Sequence, residues 1–198
     1  MLKKLQNRLN ESKGFTLVEL IVVIAIMVIL IALLVPNVVG YISSSQTTAN
    51  LSAAKSIYNA ANTAVVNGKA STGAFPTQDK LILLMNGDRD AANDGLGEKL
   101  VVVPQGTSAR IIYEETAGNV AAVIVSTGSV APAKTDGAVG TTTKTAGCEN
   151  IAMYDPQVSG NAAEHTYTSG AGALTDPTSL TSSKDITCAN GAAWQAAS

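Results

Sequence analysis

The chain has 198 residues, enough for one ordinary domain and an anchor, and its 13 Lys and Arg against 15 Asp and Glu leave a net charge of −2. Lys3, Lys4, Arg8 and Lys13 against Glu11 give residues 1–14 a charge of +3, so the remainder carries −5. An acidic remainder with scattered lysines argues against nucleic-acid binding.

Residues 13–36 read K-G-F-T-L-V-E-L-I-V-V-I-A-I-M-V-I-L-I-A-L-L-V-P. As a helix, residues 15–35 rise roughly 30 Å, the thickness of a hydrocarbon core. The basic flank before the run predicts a cytoplasmic start, which places everything after Val35 outside. The run is too long for the apolar part of a secretory signal, and Pro36-Asn37-Val38-Val39-Gly40 is a poor cleavage site. A plain single-pass anchor fits the length but gives no reason for Glu19. An acid in the first turn of a helix is favoured by the macrodipole, and inside a membrane span it is costly.

The segment G-F-T-L-V-E-L, residues 14–20, resembles the cleavage and methylation motif of type IV pilins and their relatives. The resemblance covers roughly residues 3–60, with the glycine, aromatic, acid and apolar run at the family's spacings. It implies that a prepilin peptidase cuts between Gly14 and Phe15 and that Phe15 becomes the N-methylated first residue. Glu19 matches the family's assembly glutamate, and Pro36 its helix proline. In a helix Phe15 and Glu19 are i and i+4, about 6 Å apart along the axis. The carboxylate can pair with the new amine of Phe15 or with that of a neighbouring subunit, and the resemblance favours the neighbour.

Pro36 stops or kinks a helix and Gly40 weakens the next turn, yet a helical pattern resumes. Val39, Ile42, Ala49, Ala53, Ile57, Ala60, Ala61 and Ala64 recur at three and four residues, with Ser44, Gln46, Asn50, Lys55, Asn59 and Asn62 opposite. Asn67-Gly68 reads as the stop. Thr77-Gln78-Asp79 before Lys80-Leu81-Ile82-Leu83-Leu84-Met85 reads as a short capped helix ended by Asn86-Gly87, or equally as a strand.

Residues 88–98 hold Asp88, Asp90, Asn93, Asp94 and Glu98, oxygen ligands that suit calcium. The EF-hand spacing fails, with Ala92 and Val101 at ligand positions, so a solvated turn is the preferred reading. Strand signals follow at residues 100–103, 109–114 and 120–125, the last after a Gly118-Asn119 turn. They predict an antiparallel meander on the amphipathic half of the helix. Residues 126–198 are rich in Ser, Thr, Ala and Gly, and Tyr154, Tyr167, Ile186 and Trp194 stand out as isolated large residues. Loops with one or two short strands are predicted there. Cys148 and Cys188, the two cysteines, read as a disulfide in an exported chain, with a reduced pair as the alternative. Such a bond closes a loop of about forty residues and contributes roughly 4 kcal/mol in the chain-entropy model.

No catalytic, metal or cofactor site is predicted. His165 is the only histidine, and there is no phosphate-binding Gly loop or nucleophile elbow. The predicted organisation is a leader at residues 1–14, a membrane or filament-core helix at 15–36, its amphipathic half at 37–67 and a pilin-like α+β head at 68–198, with a disulfide-stapled C-terminal loop region. The resemblance implies a single-pass membrane precursor that becomes a structural subunit of an extracellular pilus. It implies partners: other copies of the chain, minor pilins, prepilin peptidase, a platform protein, an assembly ATPase and membrane lipid. The alternatives are a pseudopilin of a secretion or DNA-uptake machine and, in another class, a membrane-tethered binding module or enzyme.

Overall fold

The computed structural model describes residues 15–88, 100–133, 145–156, 164–166 and 183–197. It divides into two compact units, Met1–Ile42 and Ser43–Ser198. Helix α1, Leu17–Thr72, contributes to both.

In the first unit every described residue is exposed. Pro36 lies inside the helix, which continues through it and through Gly40. Proline lacks an N–H and crowds the carbonyls of the preceding turn. The Asn37 side-chain amide donates to the Leu33 carbonyl at 3.2 Å, adding a donor in the turn where the ladder is weakest.

In the second unit α1 buries Asn50, Ala54, Ile57, Ala61, Ala64, Val65 and Gly68. Intervals of three and four place them on one stripe. The stripe agrees with the sequence pattern at Ile57, Ala61 and Ala64 and is rotated from it at the start. Asn50, expected on the polar face, is buried. The helix also runs past Asn67-Gly68 to Thr72, where Gly73, at φ 77°, supplies the left-handed residue that ends it. Gly68 instead gives α1 room for a close approach. A Cβ there would lie 3.1 Å from Leu84 and from the Pro76 ring.

Residues 78–86 form helix α2 (Gln78–Asn86) rather than a strand. The Thr77 hydroxyl accepts from the Lys80 N–H at 3.4 Å, and Gly87 closes the C-terminus at φ 76°. Local capping therefore decides between two readings that periodicity left equal.

Among the described residues, six antiparallel strands make one sheet: β1 (Thr107–Glu114), β2 (Asn119–Thr127), β3 (Glu149–Tyr154), β4 (Glu164–Thr166), β5 (Lys184–Cys188) and β6 (Gln195–Ala196). Their order is β4-β3-β2-β1-β5-β6. β1 and β2 form the predicted hairpin, with Ile111 opposite Val123. One face of the sheet joins α1 and α2 in a core that includes Ile57, Leu81, Met85, Ile111, Tyr113 and Trp194. The other face has a second buried cluster of Ile112, Ala121, Ala122, Ile124, Cys148, Ile151 and Met153. The fold is α+β, with the second half of a long helix packed on an antiparallel sheet.

Three expectations are corrected. Residues 100–103 form no strand, and β1 is flanked by β2 and β5 instead. Val101 and Val103 still enter the core, and the Val101 carbonyl accepts the Trp194 indole N–H at 3.2 Å. The described residues after 127 include four strands, β3 to β6, where one or two were expected, and Trp194 is a core residue.

The disulfide is the third. Cys148 lies at the start of β3 and Cys188 ends β5, and β2 and β1 run between those strands. Three inter-strand steps are about 14 Å, well beyond the Cα separation a disulfide spans. The two side chains also belong to the clusters on opposite faces of the sheet. The Cys148 thiol donates to the Val130 carbonyl and the Cys188 thiol to the Ala192 carbonyl. Most of the acidic loop read as a solvated turn, residues 89–98, lies outside the described residues.

Candidate functional site

The candidate site is the start of α1. Leu17 is the first helical residue, so Thr16 is the N-cap and Glu19 the third helical position. Thr16-Leu17-Val18-Glu19 forms a capping box. The Glu19 N–H donates to the Thr16 hydroxyl oxygen at 3.2 Å. The Thr16 N–H and hydroxyl both donate to Glu19 Oε2, at 2.9 and 2.8 Å. The carboxylate thus pairs with the Thr16 N–H, and the Thr16 hydroxyl with the Glu19 N–H, a donor that the first turn would otherwise leave unpaired. Oε1 takes no part in these bonds.

This geometry changes the reading of Glu19 in one respect. Phe15 precedes the helix, so the i, i+4 relation between Phe15 and Glu19 does not hold. The residue that holds the carboxylate is Thr16, which the sequence reading passed over although T-x-x-E before an apolar run is a legible signal. Gly14 lies outside the described residues, and Phe15 is 89% exposed.

The other feature of the site is its surface. From Leu17 to Val35 the large apolar side chains are all exposed, with no polar side chain after Glu19. α1 is the one described helix long and apolar enough to cross a membrane. Leaving a Val, Leu or Ile side chain in water rather than burying it costs about 1.5–3 kcal/mol. Such a surface needs lipid or another apolar surface to cover it. A helix suits either, because it satisfies its own backbone groups.

These features define a capped acid at the head of an exposed, membrane-length apolar helix. Residues 9–35 match the prokaryotic N-terminal methylation motif. The chain is 39% identical over 88 residues to fimbrial protein Q of Moraxella bovis, covering 43% of this chain and 56% of that protein. It is 34% identical over 88 residues to the type IV major fimbrial protein FimA of Dichelobacter nodosus, covering 44% and 55%. It is 45% identical over 71 residues to a type IV major alpha-pilin of Moraxella bovis, covering 32% and 45%. The chain therefore spans about half the length of the curated relatives it matches. No solved structure matches it. Residues 9–35 are thus similar to the methylation motif, and part of the chain is similar to these type IV fimbrial proteins.

Proposed function

We propose that the chain is a structural subunit of a type IV pilus. The observation that carries this reading is the exposed apolar helix within the methylation motif. The precursor sits in the membrane through residues 15–36. Prepilin peptidase removes residues 1–14 between Gly14 and Phe15, and Phe15 is methylated. Cleavage discards the +3 leader, keeps the anchor and creates a cationic amine beside Glu19. Glu19 Oε1 then accepts from an amine, that of a neighbouring subunit in the favoured version, while Oε2 stays with Thr16.

Assembly moves α1 from lipid to contact with copies of itself. Lipid tails are as apolar as Leu, so the exchange carries little hydrophobic gain. It needs work from outside, consistent with a platform protein and an assembly ATPase as partners. A polar pair in such a core is a weak source of stability and a strong source of register. The subunit has no catalytic role in this reading, and its final location is the cell surface.

The test is the mass of the mature chain. A chain beginning at N-methylated Phe15 and recovered from extracellular fibres is the expected result. An intact Met1, or a start near Tyr41, overturns it.

A further inference from the structure

Within the head, three side chains of α1 converge on one residue of the sheet. The Ser43 hydroxyl donates to Asn150 Oδ1 at 2.7 Å, and Asn150 Nδ2 donates to Gln46 Oε1 at 2.6 Å. Asn50 Nδ2 donates to the Asn150 main-chain carbonyl at 2.6 Å and to Thr127 Oγ1 at 3.1 Å. Positions 43, 46 and 50 are i, i+3 and i+7, one face of the helix.

Asn150 occupies a special backbone position. The β2–β3 register passes from Val125 opposite Ala152 to Thr127 opposite Glu149, so β3 carries one extra residue. Asn150, at φ 47°, is part of that bulge. Glycine adopts this left-handed conformation without steric cost and is the usual choice there. Asparagine keeps a side chain at the position, and both ends of its amide are used to hold α1.

Apolar packing does not hold this part of the helix. Residues 43–49 are exposed except for the half-buried Thr47. Ala53 and Ala54 are the first apolar residues of α1 to join the core. Hydrogen bonds between such accessible groups exchange readily for water. From Ala54 onward the helix is packed in the apolar core.

We propose that Asn150 is a polar latch that fastens residues 43–50 of α1 to the β2–β3 bulge and releases them without unfolding the core. The latch sets where the docked part of the helix begins: at Ser43 when closed, near Ala53 when open. It is a property of the single subunit.

Hydrogen exchange on the full chain in detergent micelles tests this. Asn150→Gly keeps the backbone conformation and removes both side-chain bonds; a Ser43→Ala, Gln46→Ala double variant removes the same bonds from the helix side. In both, the amides of residues 47–50 are expected to exchange about ten-fold faster, the equivalent of one or two hydrogen bonds. Amides of residues 57–65, β1 and β2 keep wild-type rates. Unchanged protection at 47–50 in both variants overturns the latch. So does an equal loss of protection across 57–65, β1 and β2, which makes the contact one of global stability alone.

Discussion

The side-chain amide of Asn50 donates to the main-chain carbonyl of Asn150, 100 residues away in sequence, at 2.6 Å. Asn50 is 5% exposed, so it is the shielded member of an otherwise accessible polar cluster. Asn50→Ala strips a half-buried carbonyl of its donor and is expected to lower the stability of the second unit by about 1 kcal/mol. Trp194, the only tryptophan and a buried one, reports this directly by fluorescence in a urea titration of the full chain.

Reduction provides a second test. With Cys148 and Cys188 on opposite faces and three strand steps apart, the head does not depend on a bond between them. A thiol reductant is expected to leave the unfolding midpoint unchanged. A loss near the roughly 4 kcal/mol of a bond closing this loop would contradict the topology.

Gly128 is irreplaceable for two reasons. Its φ of 138° is closed to ordinary residues, and an added Cβ would lie 1.9 Å from the Gly147 carbonyl oxygen, a backbone atom. Gly128→Ala is expected to destabilise the head by about 2 kcal/mol or more. Gly40→Ala is the contrast, because a Cβ there meets nothing within 4 Å. It is expected to leave the Trp194 transition unmoved.

Alkaline pH acts through Tyr113. Its hydroxyl donates to the Pro76 carbonyl at 2.7 Å, and burial, reinforced by the Glu115 carboxylate, pushes its pKa up to about 12. The ordinary value is 10.0, so between these values the folded state binds a proton that the unfolded state has lost. The stabilisation is fully present below pH 10 and falls away as pH rises towards 12. Tyr113→Phe is expected to lose about 1 kcal/mol at neutral pH from the missing hydrogen bond and to flatten this part of the alkaline decline. Midpoints of the two chains measured from pH 8 to 12 check both statements.

Glu19→Ala separates processing from assembly. The variant chain is expected to be cleaved and methylated at Phe15 and to accumulate in the membrane instead of in fibres. Efficient assembly of processed Glu19→Ala subunits would remove Glu19 from the assembly contact. Thr16→Ala removes the cap alone and is expected to cost about 1 kcal/mol in the first turn.

Legibility differed along the chain for physical reasons. The apolar run, Glu19 and the β1–β2 hairpin are local patterns, read from neighbouring residues. The α2 reading stayed open because nine residues carry too little periodicity, and the Thr77 cap and Gly87 decided it. Asn50 was misplaced because a polar residue on a helix predicts the wet face unless its partner is known, and that partner is Asn150. The strands after residue 126 were under-read because Ser, Thr and Ala dilute the alternation that Ile151, Met153 and Ile186 carry.

The sequence by itself determined the apolar run, its charge asymmetry, the motif at residues 14–20 and the α+β class, because each rests on composition or on contacts within a few residues. Only the tertiary structure decided that Cys148 and Cys188 are kept apart, that Trp194 is core and that Asn150 receives three helix residues. Those outcomes follow from strand order and from a one-residue slip in register, which are properties of long-range pairing.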